Sequence, residues 1–241
     1  MKVEIWSDFV CPFCYIGKRR FEEALEQFAH KDEIEVVYRS YELDPNSPRD
    51  INRSMAEILA SKYGMSIEQA EAANANMTEQ AAGVGLTYRM DTLIPTNTFD
   101  AHRLAHYAGQ HGKAHEMTEL LLKAYFTDNQ HLGDRDTLAA LAAEIGLDKN
   151  EAAQVLAGDQ FTQEVRADEQ EGADLGISGV PFFVINRKYG VSGAQPSEVF
   201  VQALQKAWDE VKPSLTLVND ASSEAADEAC SDGVCGVPPK K

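Results

Sequence analysis

Two cysteines three positions apart, Cys11 and Cys14, stand where a strand-like segment gives way to a helix-like one. Residues 2–8 carry Val3, Ile5 and Trp6 as apolar members and read as a strand. From about residue 12 to 29 the apolar side chains Tyr15, Phe21, Leu25 and Phe28 return at helical spacing. Cys11 therefore falls at a helix N-terminus, where unpaired N–H groups and the helix dipole favour negative charge. The thiolate is the nucleophilic form of cysteine, so this position selects Cys11 as the attacking residue. Pro12 suits the first helical turn, because the N–H it lacks would have no partner there. Cys14, one turn further in, is within reach of a mixed disulfide at Cys11 and can resolve it.

Residues 34–41 are β-branched and aromatic, a second strand. The order β-α-β predicts a parallel pair with a right-handed crossover. Half a zinc site and two unrelated buried thiols are the other readings of the cysteine pair. Zinc needs further ligands at matching spacing. His102/His106 and His111/His115 are i,i+4 pairs, but nothing in the sequence brings either pair to Cys11. Redox chemistry is the favoured reading, with no metal and no cofactor expected.

The rest of the chain divides by its pattern. Residues 45–175 are alanine-rich and amphipathic, and predict roughly five to seven helices. Ser66 with Gln69, and Asp148 with Glu151, have capping-box spacing. Gly64, Gly85, Gly112 and Gly146 mark helix ends. Strand character returns at 182–185, after Gly179-Val180-Pro181, with a turn at 187–190, a short strand from Gly190 to Gly193, and a helix from Glu198 to about Val211 capped by Ser197. The bond before Pro181 can be cis or trans, and the strand-hairpin-helix that follows favours cis.

Among 241 residues, 22 Lys and Arg stand against 39 Asp and Glu, a formal charge of −17. A field of that sign repels nucleic acid and anionic membranes, so neither is expected as a partner. The longest apolar run, 180–185, is far short of the ~18–20 residues of a membrane helix. The N-terminus has no apolar leader stretch, so a cytoplasmic location is expected. Residues 219–241 hold five acids and no aromatics, and read as a mobile tail. That tail carries a second pair, Cys230 and Cys235, for which an auxiliary redox role is expected.

The stretches SDFVCPFCYIGKRRFEEAL, TNTFDAHRL and GISGVPFFVINRKYGVSGAQP together resemble the DsbA-like thioredoxin superfamily, in particular its cytoplasmic FrnE-type branch. The resemblance spans nearly all of 1–212. It implies an α/β thioredoxin-like fold interrupted by a large inserted all-α domain. The expected division is 1–44 and 176–215 for the thioredoxin-like part, 45–175 for the insert and 216–241 for the tail. It implies thiol–disulfide oxidoreductase or isomerase activity, with Cys11 nucleophilic and Cys14 resolving. Val180 and Pro181 would form a cis-proline loop facing the dithiol, and Pro12, Phe13, Val180 and Pro181 would contact substrate. Partners would be protein or small-molecule disulfides and thiols, with glutathione or the thioredoxin system among the candidates.

The periplasmic oxidase of this superfamily has His where Phe13 stands, so a less oxidising couple is expected. The C-x4-C of the tail resembles a feature of some FrnE-type members. Kappa-class glutathione transferases and hydroxychromene-carboxylate isomerases share the architecture and typically carry Ser at the position of Cys11. A glutathione-dependent transferase or isomerase is thus one alternative, and a client-binding chaperone with inert cysteines is another. Asn97, His102 and Arg103 are candidates for the substrate cleft, and Glu4 and Asp8 for a buried proton acceptor near the dithiol. Phe9, Phe13, Tyr15 and the Phe182 region are candidates for an apolar rim.

Overall fold

The computed structural model describes residues 1–211. Strand β1 (Lys2–Ser7) is followed by helix α1 (Pro12–Gln27), a 3-10 turn (Lys31–Glu33) and strand β2 (Glu35–Ser40). Seven helices come next: α2 (Met55–Tyr63), α3 (Ile67–Ala82), α4 (Phe99–Gln110), α5 (Ala114–Phe126), α6 (Arg135–Glu144), α7 (Lys149–Ala157) and α8 (Thr162–Asp174). Strands β3 (Phe182–Ile185) and β4 (Tyr189–Ser192) and helix α9 (Ser197–Val211) complete the unit.

The sheet order is β2-β1-β3-β4. β1 and β2 run parallel, from Lys2 opposite Glu35 to Ser7 opposite Ser40. β3 is antiparallel to both β1 and β4. The β3–β4 turn places Asn186 and Arg187 at φ 51° and 56°, the left-handed pair that tight hairpins require. β4 begins one residue earlier than expected, at Tyr189, which pairs with Ile185.

Two apolar clusters meet along α1. Phe21, Ala24 and Phe28 join Val3, Ile5, Phe183, Phe200 and Trp208 on one side of the sheet. Directly after Cys14, Tyr15 and Ile16 enter the helical core with Leu104, Leu121, Tyr125 and Phe126. The dithiol therefore sits where sheet and helical block abut, on a helix fixed by both.

Local capping follows the sequence in part. Ser66 and Gln69 form a complete capping box at α3. Asp148 caps α7 through the Asn150 and Glu151 N–H groups, but the Glu151 carboxylate accepts from the Tyr107 hydroxyl instead. Ser197 opens α9 as its first residue, and its hydroxyl donates to Glu23 on α1. The expected tail pair, Cys230 and Cys235, lies outside the described residues.

Candidate active site

The sequence at the end of β1 builds the site directly. After Ser7 the chain turns so that the Cys11 N–H donates to the Asp8 carbonyl at 3.2 Å. Cys11 is extended (φ −89°, ψ 112°) at the N-cap of α1, and no side chain caps the helix. Pro12 occupies the first helical turn, and the Cys14 N–H donates to the Cys11 carbonyl at 3.0 Å. Both cysteines are unbridged and buried, Cys11 at 5% exposure and Cys14 at 2%. Phe13 between them is 42% exposed and forms the rim.

The two sulfurs have different surroundings. The Cys11 thiol donates to the Val180 carbonyl at 3.5 Å. Cys14 Sγ accepts from the Asp8 N–H at 3.4 Å, and the Ser7 side chain faces it as well. Burial pushes the Cys14 thiol well above the usual cysteine range, and the adjoining Cys11 pushes it further. Cys14 is therefore the sulfur that stays protonated while the pair is reduced.

Opposite Cys11, the Val180–Pro181 bond is cis, and the Pro181 carbonyl accepts from the Gly193 N–H at 2.8 Å. This loop lies close against α1 because residue 17 is glycine. A Cβ there would come 3.0 Å from Pro181 Cγ and 3.4 Å from Ala194 Cβ. Sequence reasoning passed over Gly17; a glycine inside an otherwise helical pattern was the available signal.

Behind the dithiol lies a cluster of buried polar groups. Asp8 Oδ2 accepts from the Leu43 N–H at 2.8 Å, and Asp8 Oδ1 lies 3.4 Å from His102 Nε2. The His102 ring packs on Phe9, with centroids 4.7 Å apart. The Tyr125 hydroxyl is buried with no hydrogen-bond partner; burial pushes it up, and the Asp8 charge adds to this. Tyr88, from the segment after α3, donates its hydroxyl to the Pro12 carbonyl at 2.8 Å and so touches the motif itself.

Of the other residues singled out in the sequence, Asn97 donates to Glu42 at 3.2 Å and holds that buried carboxylate together with Arg166. Arg103 is not a cleft residue. It is 1% exposed and donates to Asp100 and to the carbonyls of Val155, Gly158 and Gln160, tying α4 to the end of α7. Glu4 is buried among Arg39, Lys2 and Arg187; burial raises its pKa, but these cations outweigh it and hold the carboxyl below its usual range. That makes it an ion-pair anchor rather than a proton acceptor. The histidine pairs diverge: His102 faces Asp8, His106 faces Asp168, His111 packs edge-on to Tyr107, and His115 lies near Glu22. Among the described residues, no group of three or more His, Cys, Asp and Glu side chains could hold a metal ion. None of the described helices is long and apolar enough to cross a membrane.

A family model for the DSBA-like thioredoxin domain matches residues 2–205. The chain belongs to this family. Among solved structures, this DSBA-like chain superposes on the probable DsbA oxidoreductase SCO1869 from Streptomyces coelicolor. The TM-score is 0.85 and the identity 48%, over 99% of this chain and 100% of the other. Protein YwbO of Bacillus subtilis (strain 168) is 29% identical over 205 residues, 84% of this chain and 94% of YwbO. A 2-hydroxychromene-2-carboxylate isomerase shares the fold at TM-score 0.66 and 14% identity, over 87% and 97% of the two chains. The thioredoxin-like fold with a helical insertion, expected from the sequence, is the fold of this DSBA-like protein.

Proposed function

We propose that this protein is a thiol–disulfide oxidoreductase or isomerase of the FrnE-type branch, working through the Cys11–Cys14 dithiol. The observation that carries the reading is the asymmetry of the pair: Cys11 at an uncapped helix N-terminus beside the Val180 carbonyl, Cys14 sealed behind it. In reduction, the Cys11 thiolate attacks one sulfur of a client disulfide. One S–S bond breaks, a Cys11–client bond forms, and a client thiolate leaves. Cys14 then loses its proton and attacks the Cys11 sulfur, releasing the second client thiol and leaving a Cys11–Cys14 disulfide. Two electrons have passed to the client, and a low-molecular-weight thiol or a dithiol protein returns them. Isomerisation uses the same first step, with a client thiol completing the exchange. Clients are protein or small-molecule disulfides, in the reducing cytoplasm.

Cys14 needs a proton acceptor to resolve the adduct, and we assign that role to Asp8. Its backbone N–H already contacts Cys14 Sγ, and its carboxyl is buried against His102. Asp8→Asn keeps an acceptor for the Leu43 N–H but cannot take a proton. Resolution in that variant should slow about 10–100-fold. Stopped-flow measurement after mixing with a disulfide should show adduct accumulating. Unchanged resolution, or a loss confined to Cys11 alkylation, would exclude Asp8.

The assay that tests the reading is turnover of insulin or bis(2-hydroxyethyl) disulfide with dithiothreitol as sole reductant. Steady turnover without glutathione is expected, with Cys11 alkylated at pH 6 at least tenfold faster than Cys14. Absence of disulfide turnover, together with conjugation of glutathione to an aromatic electrophile, would replace this reading with the transferase one. Clients bound without turnover would point instead to a chaperone.

A further inference from the structure

Helix α2 is the least embedded helix of the insert. It buries none of its residues, although Met55, Ile58 and Leu59 lie within it, and it packs mainly on α3. Its start, α3 and the segment 88–91 enclose an open cleft of about 560 Å³. Met55, Ala56, Ala75 and Met90 give the cleft apolar walls, Glu71 and Asp91 add two carboxylates, and no Lys, Arg or His lines it. Tyr88 also lines it, and Tyr88 is the residue whose hydroxyl binds the Pro12 carbonyl. The cleft thus adjoins the Cys11-Pro12-Phe13-Cys14 turn, with exposed Phe13 on that turn.

We propose that this cleft docks the client polypeptide to one side of the disulfide under attack, and that it fits an apolar side chain flanked by Lys or Arg. The proposal rests on the disulfide-exchange reading and names its substrate class. The cleft volume is within the range of sites that enclose several side-chain groups. Methionine is flexible and polarisable, so Met55 and Met90 can repack around different apolar residues. The two acids select by charge: a cationic segment is drawn in by a chain of net charge −17, and an acidic one is repelled. An extended chain advances about 3.3 Å per residue, so a cysteine held at Cys11 places residues a few positions away at the cleft. A second copy of this chain would bring like charge to the acids and is the wrong occupant.

The test uses two ten-residue peptides, each with one cysteine capped as a 5-thio-2-nitrobenzoate mixed disulfide. One has Leu and Lys flanks and the other Leu and Glu flanks. Bis(2-hydroxyethyl) disulfide serves as the small substrate, with dithiothreitol as reductant throughout. At low salt, kcat/KM should favour the Lys peptide by about tenfold, and 0.5 M salt should remove most of that preference. Glu71 and Asp91 are exposed, so Glu71→Lys with Asp91→Lys should leave the fold intact and abolish or invert the preference. Ala75→Trp, also at an exposed position, should fill the cleft and lower kcat/KM for both peptides about tenfold. None of these variants should move turnover of the small disulfide more than twofold. Binding of the same peptides with Ser in place of Cys, read by fluorescence anisotropy, reports on the cleft independently of the chemistry. The docking proposal is overturned if the variants leave peptide preference and binding unchanged, or if peptide and small-disulfide turnover fall together. Loss of small-disulfide turnover in the unmodified protein, with peptide binding intact, would instead strike at the disulfide-exchange reading alone.

Discussion

Cys11→Ser is expected to reduce disulfide turnover by roughly 10³-fold or more, because no other described sulfur can replace it as the attacking group. Cys14→Ser should behave differently. Cys11 keeps its helix N-terminus, so the first exchange survives and the adduct cannot be resolved from within. The variant should accumulate a Cys11–client disulfide, visible as a mass increase equal to the client thiol and lost on adding dithiothreitol. The thiolate-favouring position belongs to Cys11, whereas burial and the neighbouring sulfur hold Cys14 protonated. Two results would defeat the assignment: Cys14→Ser as inert as Cys11→Ser with no adduct, or an adduct forming on Cys14 in the Cys11→Ser protein.

The parts of this site that were legible in the sequence are those fixed by near neighbours. The cysteine spacing, the proline in the first helical turn and the strand just before it determine where Cys11 stands, and α1 begins at Pro12 accordingly. The capping box at Ser66 and Gln69 was readable for the same reason. The one at Ser54 and Glu57 was not singled out, because α2 has nine residues and buries none, leaving little apolar periodicity to follow. Long-range partners were not legible. Asp8 meets His102 across 94 positions. The three carbonyls that hold Arg103 have no sequence signature, since every residue carries a carbonyl. Glu4 and Asp8 looked alike as early acids beside a strand. Only the fold separates them, setting one among Arg39, Lys2 and Arg187 and the other behind Cys14.

Glu119→Gln should be strongly destabilising, because Glu119 joins α5 to the turn of α1 that follows the cysteines. It accepts from Tyr15 at 2.6 Å and from Lys18 at 2.5 Å, and Arg19 donates to both of its oxygens. Lys18 is 2% exposed, and among the described residues its one other carboxylate is Glu22. Removing one partner of a buried pair leaves charge uncompensated, at a cost of about 3–5 kcal/mol. Glu119 is 29% exposed, which screens part of the attraction, so about 3 kcal/mol is the expected loss in urea unfolding. Lys18→Met should offset part of it, since the double variant also removes the ammonium that Glu22 alone would be left to compensate. Burial alone would raise the Glu119 carboxyl, but Arg19, Lys18 and Tyr15 outweigh it and hold the pKa down to about 2. A carboxyl depressed on folding stabilises fully above its unfolded pKa, and the contribution is lost as pH falls through the folded value. The gap in stability between unmodified protein and Glu119→Gln should therefore be widest above about pH 5 and close as pH approaches 2. A gap that stays constant over that range, or a loss under about 1 kcal/mol at neutral pH, would mean that the cluster acts as an ordinary surface ion pair. In that case the packing of Tyr15 and Ile16 into the helical core would be what holds α5 against the catalytic helix.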